Sequence, residues 1–186
     1  MRILPTLSLI AVGLSTGCAP VITEMQGARL VDYGTGEVTP TVTTVGLDSN
    51  EDQIQALGVH FARRTSRNAE MRFRLQHYAE NDGPSKSQFT ELRFGPKVSI
   101  APGTAAFAIS AGLVAGSDGD ETFLLPTAIE PALLFTIPIS RQFEINPSTK
   151  LLIIPGGTPL IATNLGVALS TDLRVWALRA EYGVLH

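Results

Sequence analysis

Residues that could carry out chemistry are few in this chain of 186 residues, and they lie far apart. The three histidines are His60, His77 and His186, and no H-E-x-x-H zinc motif joins any two of them. The acidic run at residues 118–121 lacks the ligand spacing of a calcium-binding EF loop and is typical of a polar turn. Because the serine, histidine and acidic residues show no catalytic spacing, we expect a protein that is not an enzyme and that has no metal site and no cofactor.

A larger set of charged residues alternates with apolar residues, and it contains five basic and four acidic members. Residues at alternate positions of a strand share one face. Turned inward, side chains of opposite charge could pair into a satisfied internal network. The alternative is a solvated outer face, which also mixes charges of both signs. The candidate network consists of Arg72, Arg74, Glu91, Arg93, Glu130, Glu144, Lys150, Arg179 and Glu181.

The elements that would position these charges are strands. Two-residue alternation extends from Ile54 to His186, and seven turn regions divide it into eight runs. We predict an all-β domain at residues 54–186, an antiparallel up-and-down meander closing into a barrel of about eight strands. Two further strands, at residues 29–33 and 41–47, would make ten. Residues 50–80 also keep helical spacing, so a helical hairpin is the alternative there.

Two functions are distinguished by whether the apolar rows lie on the outer or the inner face of the barrel. In a membrane barrel these rows face lipid and the charged row faces inward, and eight strands leave an interior that side chains fill, with no open pore. Such a protein would have a structural or surface-interaction role. In a soluble, lipocalin-like barrel the apolar rows would line a cavity for an apolar ligand. Phe123, Phe143 and Trp176 lie toward the ends of runs, as aromatic girdle residues of a membrane barrel do.

Two features oppose the membrane barrel. Proline cannot donate to a sheet ladder, so some runs must be broken or bulged. With eight strands that start from a periplasmic tether, the short turns would also face outward, whereas outer-membrane barrels usually have them on the periplasmic side. The prolines within runs are Pro96, Pro126, Pro131, Pro138 and Pro147.

The first eighteen residues have the pattern of an export signal. Arg2 precedes an apolar run at residues 3–14, which is too short to cross a bilayer as a helix. The string LSTGC then ends at Cys18, the only cysteine. It resembles the lipobox of bacterial lipoproteins, although Ser15 stands where leucine is usual. The resemblance implies cleavage before Cys18, acylation of its thiol and, with Ala19 following, sorting to the outer membrane.

Three regions follow from these patterns: a signal peptide at residues 1–17, a lipidated N-terminus and linker at 18–53, and the barrel at 54–186. Residues 164–183 resemble the closing hairpin of small bacterial outer-membrane barrels. The chain has 14 Lys and Arg against 17 Asp and Glu, so no basic surplus favours nucleic acid. The expected partner is membrane lipid, contacted through the acylated Cys18 and through the barrel exterior.

Overall fold

The computed structural model describes residues 27–32, 34–46, 53–80, 88–118, 121–173 and 177–186. Within these residues the fold is all-β, and no helix is long and apolar enough to cross a membrane. The eleven strands are β1 (Gly36–Gly46), β2 (Gln53–Arg64), β3 (Ala69–Glu80), β4 (Gln88–Ala101), β5 (Ala105–Asp118), β6 (Glu121–Pro126), β7 (Glu130–Phe135), β8 (Ile137–Pro138), β9 (Phe143–Leu152), β10 (Leu160–Leu169) and β11 (Leu178–Leu185).

The strands form one antiparallel sheet in which neighbours in sequence are neighbours in space. Its order is β1-β2-β3-β4-β5-β7-β9-β10-β11, with β6 paired to β5 and β8 paired to β9. Arg179 on β11 and Glu37 on β1 form an ion pair at 3.5 Å, so the sheet curls until its first and last strands approach each other. The predicted all-β meander is confirmed, with nine strands around the sheet where about eight were expected.

The helical alternative for residues 50–80 is wrong. β2 and β3 form a hairpin whose register extends from Ile54 opposite Glu80 to Arg64 opposite Glu70. Alternation decides the outcome, because Leu57, Val59 and Phe61 then share one exposed face of the sheet. A helix would have divided these three residues between faces.

The sheet begins at Gly36, well before the expected domain boundary at residue 54. Residues 29–32 form no strand, whereas β1 covers most of the second predicted extra strand. A turn precedes β1, in which Gly34 has a φ of +82° and the Thr35 amide donates to the Asp32 carbonyl oxygen at 3.1 Å. The composition of this region suggested a loose linker, but its Val and Thr residues favour a strand once β2 supplies a partner.

The expected proline break occurs between β6 and β7. Both strands pair with β5, but the register changes by one residue between the Leu113–Pro126 pair and the Ser110–Glu130 pair. Pro126 ends β6 because proline lacks the amide hydrogen that a ladder requires. β6 and β7 therefore act as one long, bulged strand beside β5.

The curled sheet has two different ends. At the end named here the turn end, residues 65–68 join β2 to β3, residues 102–104 join β4 to β5, residues 139–142 join β8 to β9, and residues 170–177 join β10 to β11. At the opposite, loop end, the connections span residues 47–52, 81–87, 119–120 and 153–159. β1 starts at the turn end, so residues 27–32 lie on the side of the short turns.

Candidate functional site

The two faces of the sheet have the reverse of the usual polarity of a soluble protein. Among the described residues, 26 large hydrophobic side chains are exposed on the outside, whereas buried positions include four glutamates, two arginines and two lysines. On β4, Leu92, Phe94 and Val98 point outward while Arg93 and Lys97 are buried. The inward side of the sheet, called here the lumen, is therefore the place where the charged chemistry of this chain gathers.

The centre of the lumen holds a network of five charged residues. Arg74 Nη2 donates to Glu91 Oε2 at 3.2 Å, and Arg93 Nε donates to Glu91 Oε1 at 2.6 Å. Arg93 also forms an ion pair with Glu130, whose other oxygen is 3.7 Å from Lys150 Nζ. These residues come from β3, β4, β7 and β9, so the network links opposite parts of the sheet. We call it the central network.

The register explains why Glu91 is needed. Arg74 lies directly opposite Arg93 in the β3–β4 ladder, and like charges in that position repel each other. Glu91 accepts from both guanidinium groups and so compensates this repulsion. The Tyr78 hydroxyl lies 3.3 Å from the same carboxylate and 3.0 Å from Gln76 Oε1, and the Tyr78 ring stacks on Phe89.

A second cluster lies nearer the turn end. Glu70 and Lys97 are both 0% exposed, and Lys97 Nζ is 2.9 Å from Glu70 Oε1. Arg72 Nε donates to the same oxygen at 2.6 Å. Glu70 and Lys97 face each other in the β3–β4 register, so the sheet itself places this pair.

Residues 27–32, called here the strap, lie within the lumen against this second cluster. Lys97 Nζ donates to the carbonyl oxygens of Gly27 at 3.1 Å and Arg29 at 2.6 Å. The Val31 amide donates to Glu70 Oε2 at 2.7 Å. With Glu70 as its third acceptor, the Lys97 ammonium group has a partner for each of its three hydrogens.

The other wall of the lumen also contacts the strap. The Ala28 amide donates to Thr136 Oγ1 at 2.8 Å, and Arg29 Nε lies 2.9 Å from Glu144 Oε2. Ala28 is fully buried in a cluster of small apolar side chains that comprises Ala106, Ala108, Ala132 and Leu134. The strap thus crosses the lumen from β3 and β4 to the beginning of β9.

The predicted charged residues are not all joined in one network. Arg74, Glu91, Arg93, Glu130 and Lys150 form the central network, whereas Arg72 belongs to the second cluster. Glu144 pairs with Arg29 of the strap, and Arg179 pairs with Glu37. Glu181 is half-buried on β11, at a position that alternates with the exposed Tyr182.

Sequence reasoning missed Glu70 and Lys97, although both share the alternation of neighbours that were included. Glu70 lies at alternate positions from Arg72 and Arg74 on β3, so all three share one face of the strand. Lys97 shares a face of β4 with Arg93 in the same way. It also missed Arg29 and Glu37, because both lie in the region assigned to a linker. Counting alternate positions along β3 and β4 would have identified Glu70 and Lys97, whereas no local sequence pattern marks the strap.

The remaining candidates that the structure describes lie outside the two charged clusters. His77 is exposed on β3, where Nδ1 lies 3.0 Å from Thr90 Oγ1, and His186 Nε2 lies 3.2 Å from Thr163 Oγ1. Within the described ranges, no group of three His, Cys, Asp or Glu side chains could hold a metal ion. Phe123 and Phe143 are half-buried near strand ends. Cys18, Trp176 and residues 119–120 of the acidic run lie outside the described residues.

The space beside the central network is small. A cavity of about 50 Å³ borders Arg74, Arg93 and Glu130. That volume holds a few water molecules and is far below the roughly 300–1,000 Å³ of pockets that bind drug-sized ligands.

Comparison with family models, with curated proteins and with solved structures found no match for this chain.

Proposed function

We propose that this protein is a lipid-anchored outer-membrane β-barrel with a structural or surface-interaction role and without an open pore. The observation that carries the proposal is the inverted polarity of the sheet. An outer face rich in Leu, Ile, Val and Phe suits hydrocarbon, and the antiparallel ladders satisfy the backbone hydrogen bonds of the strands between β1 and β11, which no ladder joins to each other among the described residues. Strands of 10–14 residues, such as β4, β5, β9 and β10, are long enough to cross with tilt.

The position at which β1 begins supports the same proposal. Adding β1 in front of β2 moves the start of the sheet to the turn end. A periplasmic lipid anchor would then lie on the side of the short turns, which is the usual arrangement in outer-membrane barrels. The topological objection raised by an eight-strand barrel does not apply to this arrangement.

The filled lumen supports a role other than transport. The central network and the strap occupy it at different heights, and the cavity of about 50 Å³ is too small for an apolar ligand. The lipocalin-like alternative needs apolar rows lining a cavity, and the described apolar rows face outward instead. Interaction with other molecules would then take place at the connections of the two ends.

Substituting Leu92 by arginine tests lipid exposure directly. Leu92 is exposed near the middle of β4. In vesicles of phosphatidylcholine, Leu92→Arg should lower the free energy of unfolding by about 2–4 kcal/mol, as arginine does at the midplane of membrane barrels. In a water-soluble protein the same surface change would cost within about ±0.5 kcal/mol.

Thr171→Arg is the matched control, because Thr171 is exposed in the connection at the turn end. It should leave the unfolding midpoint in urea unchanged. Equal, small effects of both substitutions, together with a protein that stays monomeric without detergent, would contradict the membrane proposal.

The anchor is tested separately by mass spectrometry of the mature N-terminal peptide. We expect a peptide that begins at Cys18 and carries lipid, since two acyl chains at ~0.8 kcal/mol per buried CH₂ hold a protein stably where one is marginal. Cys18→Ser should abolish the modification. An unmodified peptide that begins elsewhere would refute acylation but leave the barrel part of the proposal standing.

A further inference from the structure

We infer that the turn end of the lumen is a binding site for an extended polypeptide, occupied by the strap, which closes the lumen there as a resident plug. This inference goes beyond the proposed function, because it concerns the interior of the barrel and holds whether or not the exterior meets lipid. It rests on how the strap is recognised, on the space it occupies, and on the groups it covers.

Recognition is mainly through backbone atoms of the strap. The wall binds the amides of Ala28 and Val31 and the carbonyl oxygens of Gly27, Arg29 and Val31. One side chain of the strap also contacts the wall, since Arg29 forms an ion pair with Glu144. Backbone groups are common to every peptide, so the site selects an extended conformation more than a particular sequence.

The sequence of the strap is restricted at Gly27 and Ala28, where there is no space for a larger side chain. A Cβ atom on Gly27 would lie 2.1 Å from Asn146 Oδ1 and 2.3 Å from Thr136 Oγ1. Ala28 is 0% exposed and belongs to the buried cluster that contains Ala106 and Leu134. The ligand class is therefore an extended peptide with a glycine and then a small residue at the positions that Gly27 and Ala28 occupy.

The groups beneath the strap explain why its release would open the site. Lys97 and Glu70 are 0% exposed with the strap in place, although they face the lumen. Removing the strap would take two carbonyl acceptors from Lys97 and one amide donor from Glu70, and water would have to replace them. Release of the strap would thus admit water and small polar reagents to the turn end.

The test measures access to a thiol placed beneath the strap. Ala106→Cys is made in the full-length chain with Cys18→Ser, so that the new thiol is the only one, and the protein is kept in detergent. Gly27→Leu should expel the strap and raise the rate of labelling by a charged maleimide at least about tenfold over the native strap. Asp32→Leu is the matched control, since Asp32 is exposed in the same segment, and it should leave the rate unchanged.

A heat-dependent shift on a gel and the β-sheet circular dichroism signal report that each variant is folded. If Gly27→Leu does not fold, Lys97→Met weakens the strap from the side of the wall and should raise the rate in the same direction. Rapid labelling with the native strap, or an unchanged rate in folded Gly27→Leu, would overturn the inference.

A peptide added in trans identifies the site as one that binds polypeptide. Acetyl-Gly-Ala-Arg-Leu-Val-Asp-amide should slow labelling of the Gly27→Leu protein again, and the same peptide with leucine in place of its glycine should not. Equal protection by both peptides would refute the requirement for glycine at the position of Gly27, and protection by neither would refute a peptide-binding site at the turn end. Because these assays use detergent-solubilised protein, they can fail while the membrane proposal stands, and the reverse also holds.

Discussion

Glu91 is the residue on which the central network depends. It separates two buried arginines, Arg74 and Arg93, that the β3–β4 register places directly opposite each other. A buried ion pair contributes little net stability, but removing one partner leaves an uncompensated charge. The network is therefore best tested by deleting its shared acid.

Glu91→Gln should lower the free energy of unfolding by about 3–5 kcal/mol, because two guanidinium groups then share the lumen without their carboxylate. Equilibrium unfolding in urea measures the change. Glu37→Gln breaks the partly exposed pair with Arg179 and should cost about 1 kcal/mol or less. A loss from Glu91→Gln no larger than that of Glu37→Gln would show that water in the lumen already screens these charges.

From the sequence, the side of the sheet on which a residue lies could be predicted better than the residue with which it forms an ion pair. Alternation assigned Arg93 and Glu130 to one side of the sheet, and the structure pairs them there. It could not show that Glu144 pairs with Arg29, because that contact depends on where residues outside the strands cross the lumen. Ion-pair partners on non-adjacent strands depend on curvature, which leaves no local trace in the sequence.

At the level of elements, β1 is the strand that sequence reasoning gave only as a possible extra strand, at residues 41–47 within the linker. It pairs with β2 over its whole length, from Gly36 opposite Arg63 to Gly46 opposite Gln53. Its inward Thr41 and Thr43 are buried and its outward Val38 and Val42 are exposed, as in the other strands. The strand was hard to recognise because threonine is polar but β-branched, and so blurs the contrast between faces.

A fragment of residues 54–186 should therefore fail to fold, whereas residues 27–186 should fold. Without β1, the sheet loses the eleven residue pairs of the β1–β2 ladder and the Glu37–Arg179 ion pair between its first and last strands. Heat-modifiable migration after refolding into detergent micelles distinguishes the two fragments. Equal refolding yields would mean that β1 is dispensable and that the sheet domain does begin near residue 54.

For the whole molecule, the order of strands was predictable and the closing of the lumen was not. Short turns between alternating runs led to an antiparallel meander, and the structure has one. The filling of the lumen depends on contacts between distant positions, such as Gly27 with Asn146 and Ala28 with Thr136. Contacts of that separation are set by the curl of the sheet as a whole.

The lumen has two barriers in series, and this leads to a prediction about conductance. The strap lies at the turn end, and the central network lies between it and the loop end. In planar bilayers the intact protein should give no single-channel steps, because a small barrel filled by side chains is not a pore. Releasing the strap alone with Gly27→Leu should also give none, since Arg74, Glu91 and Arg93 still fill the middle.

Combining Gly27→Leu with Arg74→Ala, Glu91→Ala and Arg93→Ala should remove both barriers and produce steps, and the charge deletion with a native strap should not. The triple substitution removes two positive charges and one negative charge, so the open path would be less selective for anions than a lumen that keeps both arginines. Steps from the intact protein would refute a closed lumen. Silence from the combined variant, in preparations shown to be inserted and folded, would mean that further side chains close the path.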